Sequence, residues 1–136
     1  MTTTTSASEF PNQFAQIITV RGHTFRADVG TALGSTDSAP GPHDLFDAAL
    51  AACKTLTAVW YARRQGWPLE RVEAHVESDE SEERKGRYVM NVRLQFHGPL
   101  TQEQRDRLYA AAGKCPVHKL MTDVEVIINT LPLEAP

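Results

Sequence analysis

Residues Gly41 to Gly66, GPHDLFDAALAACKTLTAVWYARRQG, leave the rest of the chain few choices. The stretch reads as one long helix. Pro42 suits a first helical turn, where its missing N–H removes a donor that has no helical partner anyway. Asp44 and Asp47 lie near the positive end of the helix dipole, Arg63 and Arg64 near the negative end. Gly66 can adopt the left-handed conformation that closes a helix, and Pro68 keeps the helix from resuming. Between these caps Leu45, Phe46, Ala48, Ala49, Leu50, Ala51, Ala52, Leu56, Val59 and Trp60 cover most of the circumference. A helix apolar nearly all round wants cover on nearly all sides, so it is expected to be the central post of a domain. One thiol, Cys53, sits near its middle.

At 136 residues the chain is expected to form a single domain over 13–136 with a core of its own. Fourteen basic and 17 acidic residues leave a net charge of −3 without a basic block, which argues against nucleic acid as a partner. The N-terminal MTTTTSASEF has neither the basic start nor the apolar centre of a signal peptide. The long helix carries Asp47 and Lys54 and lacks the apolar run that a membrane span needs. A cytoplasmic protein with no membrane partner is the expectation. Two cysteines 62 positions apart in a reducing compartment are then inert thiols or a reactive pair, and an unlikely permanent staple.

Residues 1–12, rich in Thr and Ser, suggest a disordered arm. FAQIITV (14–20) and HTFRADV (23–29), joined by Arg21-Gly22, suggest an antiparallel hairpin. The turn residues of 30–41 form a loop into the helix. Beyond it, RVEAHVES (71–78) and YVMNVRLQFHG (88–98) alternate apolar and polar residues as half-buried strands do, with the charged DESEERKG (79–86) as their solvated tip. Thr101-Gln-Glu-Gln104 is a capping box and opens a second helix over 102–113. KCPVHKLM (114–121) suggests a turn and a short helix begun at Pro116, and VEVIINTL (124–131) a closing strand. The order β-β-α-β-β-α-β predicts an α+β domain with antiparallel sheets.

Cys53 reads as a small buried hydrophobe or as a nucleophile. Cys115 precedes Pro116 at a helix start, where Lys114, Lys119 and the helix terminus favour a thiolate. Cys115-x-x-His118 has metal-ligand spacing that Cys53, His23 or His43 could complete, but structural zinc uses two close-spaced pairs and only one is present, so no metal is expected. Neither a G-x-S-x-G elbow nor a glycine-rich phosphate loop occurs, and no cofactor is implied. Thiol redox chemistry is what remains.

PHDLFDAALAACKTLT, continuing through YARRQGWPLERVEAHV, resembles the central-helix signature of OsmC-like proteins. It is most similar to the subgroup whose helix reads P-[HY]-[DE]-L-L-x-A-A-L-x-A-C. CPVHKLM resembles that family's second cysteine motif, C-P-V-[HS]-[KR], and HTFRAD also resembles the subgroup. The likeness covers roughly residues 14 to 131. It implies an intertwined homodimer in which antiparallel sheets of both subunits wrap long central helices. For the peroxidase branches it implies that Cys53 attacks a hydroperoxide and becomes a sulfenic acid. Cys115 then traps this as a disulfide, and an external thiol or dithiol reduces it. The second reading is a non-catalytic or redox-sensing dimeric binding protein on the same fold.

The resemblance also implies an arginine from the N-terminal hairpin and a glutamate near the helix start, both serving the thiolate. Ten positions before Cys53, where the glutamate is expected, stands His43. Asp44 is the nearest substitute, although at about 100° per residue it falls half a turn out of phase with Cys53. Arg21 and Arg26 lie in the expected hairpin. Cys53 itself is too deep in the helix for the dipole to ionise it. An apolar channel for organic hydroperoxides could draw on Phe46, Leu50, Trp60 or Phe96.

Overall fold

Two turn residues set the N-terminal sheet in the computed structural model, which describes residues 1–136. Arg21 and Gly22 have φ of 49° and 80°. Positive φ at both central positions gives a two-residue turn whose twist matches that of the strands it joins. They connect β2 (Gln16–Val20) to β3 (His23–Ala27), with Val20 opposite His23. The expected hairpin is present. The loose arm expected over 1–12 is not, because β1 (Thr4–Ser8) pairs antiparallel with β2 and makes the sheet three-stranded. Its side chains are all exposed, so backbone pairing holds it and no buried periodicity marks it in the sequence.

The chain forms two compact units, Met1–Ala48 and Ala49–Pro136, with the boundary inside the long helix α1 (Pro42–Gln65). In the first, the loop after β3 is pinned by Asp28, which is buried at 3% exposure. Its carboxylate accepts from the Ser35 hydroxyl at 2.5 Å, the Ser38 hydroxyl at 2.6 Å, the Val29 N–H at 2.7 Å and the Ser38 N–H at 2.9 Å. These donors, the Ser35 hydroxyl foremost, hold the carboxyl well below the usual carboxylate range. Pro42 opens α1, and Asp44 accepts from the Gly41 N–H at 2.9 Å, tying off the helix start.

At the far end of α1, Gly66 takes φ 70°, its N–H reaching the Arg63 carbonyl and that of Trp67 the Ala62 carbonyl. This is the double closure of a Schellman end, with the Tyr61 and Trp67 rings packed edge to face at 5.5 Å. No helix is long and apolar enough to cross a membrane. In the second unit β4 (Arg71–Asp79) and β5 (Val89–His97) pair antiparallel from Arg71 opposite His97 to Asp79 opposite Val89. Gly98 follows with φ 135°, and a Cβ there would stand 2.3 Å from the Pro68 carbonyl oxygen, so only glycine fits. α2 (Gln102–Gly113) begins with the predicted capping box, Thr101 and Gln104 satisfying each other's N–H groups. α3 (Pro116–Thr122) starts at the expected proline.

Two expectations need correction. Residues 124–131 form no strand. The β-branched pattern supplies propensity, but a strand also needs an edge to pair with, and no strand of this chain takes it. Val126, Ile127 and Ile128 are left exposed, Ile128 at 85%. Nor is α1 covered on nearly all sides. Leu50, Lys54, Ala58 and Ala62, spaced by four, form the buried stripe. Ala49, Ala52, Leu56, Val59 and Trp60 form a second stripe that stays exposed, Leu56 at 67% and Trp60 at 57%. The fully enclosed core of the second unit is small, built on Leu108, Ala112, Ala58 and Cys115.

The Asp28 loop generates a pH signature. A carboxyl lowered in the folded state contributes stability that is present above its unfolded value, about pH 4, and fades as pH falls below it. Asp28→Asn is expected to lower the melting temperature at pH 7 and to flatten its decline on acidification, as read by thermal melts across pH.

Candidate active site

Cys53 lies one position before Lys54 on α1, about 100° round the helix from the buried stripe, and is half-buried. Cys115 caps the start of α3 and is fully enclosed. α3 brings the two cysteines together. The Val117 N–H donates to Cys53 Sγ at 3.4 Å. The His118 N–H donates to the Cys115 sulfur, and the Cys115 thiol is within hydrogen-bond reach of Cys53. Both thiols are free. Sixty-two positions of sequence are thus closed to a single contact.

The electrostatics of Cys115 reverse the expectation. Lys114 and Lys119 are exposed. Burial pushes the Cys115 thiol up, and the Cys53 sulfur beside it adds to the rise, against the opposing His118 N–H and the charge of Lys54. Desolvation outweighs the helix terminus because the sulfur has no contact with water.

Lys54 is the residue that sequence reasoning passed over, counting it only as a charge that bars a membrane span. It is buried at 3% exposure. Its Nζ donates to the Ala112 carbonyl at 3.2 Å and meets His118 Nδ1 at 3.0 Å. The signal was available, since a lysine stands four positions after Leu50 and four before Ala58 on an otherwise apolar stripe. His118 Nδ1 is spent on a cation, which argues against the metal alternative built on Cys115 and His118.

Two cavities flank the pair. A groove of about 730 Å³ opens onto Cys53, walled by Ala49, Leu56, Trp60, Pro116 and Val117. It is apolar apart from Thr57 and Lys114. A second, of about 450 Å³, is lined by Lys54, His118, Leu50, Tyr88 and Tyr109 among others. Of the expected channel residues, Trp60 is in the first wall and Leu50 in the second.

The four candidate activating residues all lie in the first unit. Arg26 pairs with Glu9, and Asp44 caps Gly41. Arg21 is a turn residue with an exposed side chain, and His43 lies exposed in the first turn of α1.

The model of the family described as OsmC-like protein matches residues 35–129. A Psychrobacter arcticus structure named for osmotic stress induction and detoxification response has a TM-score of 0.75 at 18% identity, covering 90% of each chain. The OsmC like protein of Mycoplasma pneumoniae has a TM-score of 0.69 at 16% identity over 91% of this chain and 87% of its own. The organic hydroperoxide resistance protein OhrB of Bacillus subtilis has a TM-score of 0.59 at 25% identity, covering 90% and 91%. No curated protein matches the sequence.

The difference in burial predicts unequal labelling. In the native fold iodoacetamide modifies Cys53 and spares Cys115, and both react in denaturant. Peptide mass mapping checks this.

Proposed function

This chain belongs to the OsmC-like protein family, and from that premise we propose that it is a thiol-dependent peroxidase acting on organic hydroperoxides. Family membership and neighbours such as OhrB point to a stress response involving peroxide or osmotic stress. The single observation that carries the finer reading is the contact of a half-buried Cys53 with a fully enclosed Cys115.

The chemistry then divides between the two sulfurs. The Cys53 thiolate attacks one oxygen of the O–O bond, which breaks, and the departing alkoxide takes up the proton the thiol had given up, leaving an alcohol and a sulfenic acid. Only the thiolate is nucleophilic, and the Cys53 sulfur that would attack accepts the Val117 N–H. Cys115 attacks the sulfenic acid, water departs and a disulfide remains, which an external thiol or dithiol reduces. The nearby thiol guards Cys53 from further oxidation. The apolar wall of Leu56, Trp60 and Val117 suits the alkyl group of an organic hydroperoxide. Of the candidate activating residues Arg21, Arg26, Asp44 and His43, Arg26 and Asp44 are engaged within the first unit by Glu9 and the Gly41 N–H. A redox sensor would use the same pair without turnover.

The match over 35–129 crosses the boundary between the two compact units, which supports one OsmC-like domain. The exposed stripe of α1 and the unpaired 124–131 segment suit a homodimer, in which a second copy would cover what the single chain leaves bare. Trp60→Asp is expected to shift the protein from dimer to monomer in sedimentation equilibrium.

Turnover decides the reading. Wild-type protein should consume cumene hydroperoxide with a dithiol reductant, and Cys53→Ser should lose this entirely. Cys115→Ser should complete one turnover with dithiol absent, then accumulate a dimedone-reactive sulfenic acid. Absence of dithiol-dependent consumption by wild type rejects the peroxidase in favour of the sensor.

A further inference from the structure

A nearby cation favours a thiolate, and a buried one, Lys54, stands close to the enclosed Cys115. Lys54 is 3% exposed, and both of its hydrogen-bond partners, the Ala112 carbonyl and His118 Nδ1, are acceptors that need carry no charge. The wall of the cavity it lines contains no carboxylate. A buried ammonium costs several kcal/mol in desolvation when no anion compensates it. The groups facing it can be enumerated. From α2 come the Ala112 carbonyl and Tyr109. From β5 and the residue before it come Asn91 and Tyr88, and from α3 the imidazole of His118. His118 is the link to Cys115, since its ring meets Lys54 while its backbone N–H donates to the Cys115 sulfur.

We infer that Lys54 is a positioning residue whose ammonium, held by the Ala112 carbonyl and His118, stabilises the Cys115 thiolate during closure of the disulfide with Cys53. This rests on the peroxidase reading for its place in the cycle, and on burial and hydrogen bonding for the electrostatics. The resolving step is where a cation matters most, because full burial disfavours the charged form of Cys115. In that step Cys115 loses its proton and its thiolate attacks the sulfenyl sulfur of Cys53. The S–S bond forms as the S–O bond breaks. Cys115 is oxidised, the Cys53 sulfur is reduced, and the departing hydroxide takes up the proton lost by Cys115 to leave as water. Arginine would keep the charge at position 54 and methionine would remove it. Glutamine would keep a donor for the Ala112 carbonyl without the charge.

Two measurements test this. In a Cys53→Ser background Cys115 is the sole thiol, and its ionisation is followed by ultraviolet absorbance of the thiolate across pH. Adding Lys54→Met or Lys54→Gln should raise the midpoint by about one pH unit, and Lys54→Arg should restore it. An unmoved midpoint in a folded neutral variant overturns the proposal. Loss of the fold in both neutral variants also counts against it, because a cation serving a thiol is dispensable for folding. In the otherwise wild-type chain Lys54→Met should slow disulfide closure more than it slows sulfenic acid formation. It should close the disulfide about tenfold more slowly at neutral pH, one pH unit being one decade in thiolate. A raised midpoint with unchanged closure removes Lys54 from the resolving step. A wild type inert to hydroperoxide rejects the peroxidase reading, while the thiolate titration still decides whether Lys54 serves Cys115.

Discussion

The ammonium of Lys54 ends at the meeting place of three helices. It leaves α1, takes the Ala112 carbonyl in the last turn of α2, and meets the His118 ring on α3. The last carbonyls of a helix carry its negative partial charge, so a cation there is favoured beyond the single hydrogen bond. Ala58, Ala62 and Ala112 are at most 2% exposed. Removing a lysine from water is costly, so this arrangement holds only while the carbonyl and imidazole stay in place. The two sulfurs lie in the same corner, and their environment is inherited from this packing.

That environment separates two chemically identical side chains. Cys53 faces an apolar groove and accepts one N–H, whereas Cys115 is cut off from solvent beside it. An accessible thiol can meet a substrate, and an enclosed one can meet only its neighbour. The proposed division of labour between attack and resolution rests on this difference in burial and on no difference in residue type.

The rest of the second unit is thin in core for its apolar content. Leu108 is completely buried, worth about 1.5–3 kcal/mol on area grounds. Leu56, Trp60, Ile127 and Ile128 remain exposed. Their regularity along α1 and along 124–131 defines the surface that the proposed homodimer would cover. The second apolar stripe of α1 is therefore as much a part of the sequence's information as the first, although one chain uses only one of them.

Local chemistry was legible in the residues. The capping box at Thr101, the Schellman end at Gly66, the Arg21-Gly22 turn and the start of α3 at Pro116 each depend on a few neighbouring positions, and each is present. β1 escaped notice because its exposed Thr and Ser residues leave no apolar trace, and the 124–131 strand was overread because propensity does not supply a pairing edge. The two motifs also marked both cysteines, through the family resemblance, as the candidate site. Only the tertiary structure decided that Cys115 is enclosed, that desolvation outweighs the basic residues beside it in sequence, and that Lys54 faces inward with His118. The reason is physical. Hydrogen-bonded caps are set by adjacent residues, whereas the loss of water around a charge is set by everything the fold packs against it.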